Sequence, residues 1–196
     1  MEDNVYQWLD NVLRTSEHEF SVLESQIPSR MHDAMGAVDD WSAKDVVAHL
    51  TYWLEVFSYN IDARTHSETL VDTENYKVLN REAWKLRNIL TWDKVRLDLD
   101  RAFKSVQSRV HGLTATQLTD ASCFSLQGQP LVADYMYELI EHPMHHWVIL
   151  YRRASREDMA LGMLERVQEG ISQKRFMKWS MPARKKIRKH RQSLAP

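Results

Sequence analysis

Two histidines, His142 and His146, stand four residues apart in the run EHPMHHW. On a helix this spacing sends both imidazoles out of one face, one turn apart. Neutral imidazole ligates zinc, nickel, copper or iron, so a single helix can supply two ligands to one ion. The face they share is apolar, because Leu131, Tyr135, Leu139, Ile149 and Leu150 fall on the same stripe. A third histidine, His49, lies between Val46 and Trp53 on another apolar stripe, so three imidazoles can point into a helical core. Each taken singly has a plainer reading, a core histidine satisfied by a hydrogen bond. Three on two core-facing stripes favour a metal site, while His145 faces outward or sideways.

Glu138 lies one turn before His142. It is either the carboxylate that orients this imidazole or a general base, with an ordinary solvated helix glutamate as the alternative. Tyr52, Trp53 and Tyr135 flank the same region, as pocket lining or as core. Pro143 falls between the two histidines; its ring clashes with the carbonyl of Leu139 and it donates no hydrogen bond, which places a kink in the turn before it. The turn from His142 to His146 can remain helical.

The elements that must hold these residues are helices. Only five glycines and five prolines occur in 196 residues. The closest glycines, Gly162 and Gly170, are eight positions apart, which excludes every glycine-rich phosphate loop. A sandwich or barrel would need turn residues far more often. Apolar positions recur at three and four residues over about 3–26, where Val5, Trp8, Leu9, Val12, Leu13, Phe20 and Leu23 form the stripe before Pro28. A second helix starts at Ser42, with Asp45 reaching back to complete the cap and Trp41 packing on Val46. A shorter helix is predicted over 74–88 and a long one over 92–112, closed by Gly112. The helix carrying His142 and His146 follows Pro130 and runs to about residue 153. Ser155, with Asp158 three residues on, is predicted to cap a last helix reaching about residue 179. The sum is an all-α chain: one antiparallel four-helix bundle with an extra C-terminal helix, forming a single domain over 1–180, and a basic tail over 181–196.

The net charge of −1 conceals an asymmetry. The last fifteen residues hold six Lys or Arg and no acid, leaving a net −7 on residues 1–181. A basic segment of this kind suits nucleic acid, anionic lipid or an acidic partner subunit, with a solvated helix end as the plain alternative. The acidic body argues against nucleic acid. A lone cysteine, Cys123, excludes an internal disulfide and any multi-cysteine zinc site. No apolar run approaches a membrane span, and the acidic start lacks the pattern of a signal peptide, so a cytoplasmic location is expected. Met159, Met163 and Phe176 are expected as exposed apolar positions at a homodimer contact.

These residues carry a resemblance. Trp41-Ser42-Ala43-Lys44-Asp45-Val46-Val47-Ala48-His49-Leu50, followed by Trp53, resembles the start of the second helix in the DinB/YfiT-like metalloenzyme superfamily. His142-Pro143-Met144-His145-His146 is similar to the H-x-x-H-H of its fourth helix. Asn80-Arg81-Glu82 and the Trp92 segment resemble the branches that contain the ClbS/DfsB proteins and the thiol-dependent isomerase N-terminal domains. The similarity spans about residues 5–155. It implies a four-helix bundle of the up-down-down-up type with a divalent metal on His49, His142 and His146.

Three neutral imidazoles leave a coordination position open, the arrangement of a catalytic zinc site. A divalent ion there lowers the pKa of a coordinated water towards neutrality, or takes a thiol as thiolate. The resemblance therefore implies a transferase or hydrolase that uses zinc or nickel, and a low-molecular-weight thiol for S-transfer, on a small electrophile or xenobiotic. The alternative it implies is a metal-free small-molecule binding and self-protection protein of the ClbS/DfsB type.

Overall fold

The computed structural model describes residues 3–36 and 40–194, all in helices, turns and loops, with no strand among them. The helices are α1 (Asp3–Gln26), α2 (Ala43–Thr65), α3 (Tyr76–Arg87), α4 (Trp92–His111), α5 (Ala115–Thr119), α6 (Leu131–Met136), α7 (His142–Arg153), α8 (Glu157–Gly170) and α9 (Met177–Leu194). Ala195 and Pro196 of the predicted tail lie outside the described residues. No helix among the described residues is long and apolar enough to cross a membrane.

The chain forms two compact units, Ser29–Gly112 and Met1–Pro28 with Leu113–Pro196. In the first, α2 begins as the sequence predicts. The Ser42 hydroxyl accepts the Asp45 N–H at 3.1 Å, and the Asp45 carboxylate accepts the Ser42 N–H at 3.0 Å. The two cap each other's backbone and set the phase of every later residue on the helix, His49 included. α4 packs on α2 through Val95, Leu99, Ala102, Phe103, Val106 and Val110, all buried. Ser58 and Ser105 share a hydrogen bond of 2.6 Å along this seam, and Arg109 pairs with Asp62 at 2.6 Å. Gly112 ends α4 but with φ −76°, a right-handed conformation; the helix stops there without the left-handed cap expected of a glycine.

In the second unit the predicted stripe of α1 is buried throughout, from Val5 and Trp8 to Phe20 and Leu23. Trp8 stacks on Phe176 with ring centroids 4.8 Å apart. Phe176 and Met163 are core residues, 4% and 0% exposed, rather than the exposed apolar positions expected, and Met159 is half-buried. The predicted last helix is broken in two. Ser155 does not cap it: its φ of 54° is left-handed, α8 starts at Glu157, and Asp158 receives Arg156 Nε at 3.3 Å instead. At the other end Gly170 closes α8 against α1. A Cβ there would lie 2.2 Å from Thr15 Oγ1 and 3.1 Å from Thr15 Cβ. α9 then runs through the basic segment with Ser180, Ala183, Ile187 and Leu194 buried.

Gly170→Ala is accordingly expected to lower stability by about 1–3 kcal/mol through overpacking, despite the better helix propensity of alanine. Thermal melts should show most of that loss recovered by adding Thr15→Ala. A single variant as stable as the wild type would count against this contact.

Candidate metal centre

Between α6 and α7 the backbone widens into a π turn, Tyr137–Glu141. The His142 N–H donates to the Tyr137 carbonyl, five residues back. Pro143 explains the position. As one of the first residues of α7 it needs no donor, and widening the preceding turn takes the Leu139 carbonyl out of the way of its ring. The kink predicted before Pro143 is thus a π turn, after which His142–Arg153 is regular helix.

On that first turn the His142 and His146 rings lie with centroids 5.1 Å apart and planes tilted by 56°, both half-buried. Met144, Trp147 and Val148 fill the other faces of the helix, and His145 is exposed, as predicted. Burial, and then the neighbouring His142 and His145, push the His146 imidazole down to about 3. At neutral pH it is an uncharged nitrogen donor. Glu138 Oε2 sits 3.6 Å from His142 Nδ1, with both side chains 14% exposed. Glu138 is therefore beside the imidazole and screened from water, where a carboxylate orients a ligand ring.

Three side chains that the sequence does not single out complete this surrounding. Tyr137 stacks on His142, centroids 5.8 Å apart and planes 21° apart. Glu141, buried, pairs with Lys186 of α9 at 3.0 Å. Asp134, one turn before Glu138, is 6% exposed; Gln129 donates to its Oδ1 at 2.5 Å, and its Oδ2 has no hydrogen-bond partner. An acidic residue four before Glu138 was the available signal for Asp134, whereas nothing local marks Lys186. Tyr135 is not lining. Its hydroxyl donates to the Leu9 carbonyl at 3.1 Å, and burial pushes its pKa well up, so it is core.

In the other unit His49 is 7% exposed and lies between two indoles, Trp41 at 5.1 Å and Trp53 at 6.4 Å between centroids. Trp53 Nε1 donates to Asn80 Oδ1 at 2.8 Å, which ties α3 to the His49 helix. A cavity of about 10 Å³, room for a single water, is lined by Trp41, Asp45, His49, Asn80, Trp84 and Arg87. Arg87 lies over the Tyr52 ring and pairs with Glu55, so Tyr52 belongs to the α2–α3 seam.

His49, His142 and His146 are a group of three histidines whose ring nitrogens could hold a metal ion. An all-imidazole donor set with His146 already deprotonated fits a divalent ion of the borderline class.

The model of the DinB superfamily matches residues 12–150, well over half of the chain. The chain belongs to the DinB superfamily. No curated protein and no solved structure matches it. In this DinB chain the matched segment carries the Ser42–Asp45 cap, His49, Glu138, His142 and His146, and it ends before α8 and α9.

Burial pushes the Asp134 carboxyl up to about 6; the Gln129 hydrogen bond opposes this and the Glu138 charge adds to it. The unfolded value is near 4. The folded chain thus holds this proton more tightly than the unfolded one, and its contribution to stability falls as pH rises from about 4 to about 6. The stability of Asp134→Asn relative to wild type is expected to grow over that window and level off above it. Melts of both proteins at several pH values check this; a difference independent of pH would contradict it.

Proposed function

We propose that this DinB protein is a divalent-metal-dependent transferase or hydrolase acting on a small electrophile, with zinc or nickel on His49, His142 and His146. The observation that carries the reading is the first turn of α7: two half-buried imidazoles four residues apart, one of them held neutral, with a screened carboxylate beside the other. A divalent ion bound there supplies Lewis acidity at an open coordination position.

The chain's own residues supply the rest. Glu138, 3.6 Å from His142 Nδ1, orients that ring or acts as the base. In S-transfer it takes the proton of a low-molecular-weight thiol; the sulfur bonds to the electrophilic carbon, and the leaving group departs with its electron pair. In hydrolysis the proton comes from water, the water oxygen bonds to the electrophilic carbon, and the leaving group again departs with its electron pair. The Glu138 side chain is only 14% exposed, which limits the access of bulk water to the base. The partner is a small molecule, and we assign no part in this reaction to nucleic acid or to a membrane.

The test is equilibrium binding of zinc and nickel to purified full-length protein, followed by turnover of a haloarene with and without a small thiol. Uptake of about one ion per chain and metal-dependent turnover are expected. Small-molecule binding that persists without metal and survives loss of His49 and His142 would overturn the reading in favour of metal-free protection.

A further inference from the structure

The basic C-terminal helix has no part in the reading above, and the family match stops short of it. Its inner stripe of Ser180, Ala183 and Ile187 is buried, which fixes the backbone on either side of Lys186. Lys186 Nζ lies 3.0 Å from Glu141 Oε2, a carboxylate only 7% exposed. The same ammonium stands over the Tyr137 ring, 5.0 Å from its centroid. Tyr137 and Glu141 are the first and last residues of the π turn, so one lysine grips both ends of it. Tyr137 in turn stacks on His142. Further along the same seam, the His190 ring of α9 lies 5.7 Å from that of His145.

A π turn is a local insertion in a helix; such turns are rare and frequently lie at functional sites. Were it to relax to α-helical winding, the residues on either side would rotate relative to one another by about 100°. His142 would then leave the direction in which Tyr137 and Glu138 hold it. We propose that Lys186 is a positioning residue of the metal centre, clamping the π turn through Glu141 and Tyr137 so that His142 is presented as a ligand. The proposal rests on the ligand set of the preceding section, and it gives the basic helix a task inside its own chain.

The experiment compares wild type, Lys186→Met and Lys186→Arg as full chains. Cobalt(II) serves as the probe, read by its visible spectrum, and the His142 ring protons are followed by NMR in metal-free protein. Lys186→Met is expected to weaken cobalt binding about 10–100-fold, the usual effect of losing a group that orients a ligand, and to alter the spectrum. It should also move the His142 ring resonances, as the stacked Tyr137 releases them. Lys186→Arg keeps both the ion pair and the cation–π contact and should restore all three readouts. Should Lys186→Met fail to fold, Glu141→Gln breaks the same ion pair without leaving a buried charge.

Unchanged cobalt affinity, spectrum and His142 resonances in a folded Lys186→Met or Glu141→Gln would overturn the proposal, even if the melting temperature fell. Wild-type protein that binds no cobalt would overturn the metal reading. In that case shifted His142 resonances in the variant would still support the clamp, and unshifted ones would overturn it, so the two failures are separable.

Discussion

Arg166→Ala is expected to destabilise the protein by about 2–4 kcal/mol, somewhat less than the cost of breaking a fully buried ion pair from one side. Arg166 of α8 donates from Nε and Nη2 to the two carboxylate oxygens of Glu19 on α1, each at 2.8 Å. The Glu19 side chain is wholly buried, while the guanidinium is 37% exposed. Truncating the arginine therefore leaves a largely buried carboxylate without its counter-ion. The surroundings sharpen the penalty: Ser16, on the same helix, is fully buried, and burial, with the Glu19 charge added, pushes the Tyr151 hydroxyl up to about 12. The double variant Glu19→Met/Arg166→Met removes both charges and should recover most of the loss, because apolar replacement of a whole buried pair is often close to neutral. Urea unfolding of the three proteins is the measurement. An Arg166→Ala variant within 1 kcal/mol of wild type would mean that the pair contributes no more than a surface salt bridge.

His146→Ala is expected to abolish specific metal uptake while leaving the fold in place. Structural zinc sites return roughly 10–16 kcal/mol over four ligands, so one imidazole corresponds to about two to three orders of magnitude in affinity. The surroundings of His146 suit it to this role. Burial and the neighbouring His142 and His145 hold its imidazole uncharged at neutral pH, so no protonation competes with the ion there. The same depressed value sets a pH signature in metal-free protein. A histidine buried neutral contributes stability above its unfolded pKa of about 6.5, and this is lost as pH falls towards about 3. His146→Ala should therefore lose the metal-induced rise in melting temperature and part of the acid sensitivity together. Retention of tight zinc binding by this variant would remove His146 from the ligand set.

Much of the helical content is legible in the residues themselves. The stripe from Val5 to Leu23 and the breaker Pro28 bound α1 at Asp3–Gln26, because a 3.6-residue period and a proline are local features. The Ser42–Asp45 cap is equally local, a reciprocal bond between residues three apart. The helix carrying His142 and His146 is legible only as one continuous element. Its stripe positions, 131, 135, 139, 142 and 146, step by four, four, three and four, a pattern that α-helical spacing absorbs without showing the extra residue of the π turn. The break after Gly170 was also hidden. That glycine is required by the approach of Thr15, which is 155 positions away in the chain and carries no mark of the contact.

The same division runs through the candidate site. Histidine type, i,i+4 spacing and a glutamate one turn earlier are enough to name His142, His146 and Glu138, because helix geometry converts those intervals into a shared face whatever the rest of the chain does. Composition alone excludes phosphate loops and a β architecture. What packing decided is which groups those faces meet. The basic segment reads in sequence as a solvated end, yet Ala183 and Ile187 bury it and deliver Lys186 to the π turn. Arg166 finds Glu19 across 147 positions, and Phe176 leaves the surface for Trp8. Each of these depends on side chains remote in sequence coming within a few ångströms. No local period encodes such an encounter; it follows from the burial of several apolar stripes at once.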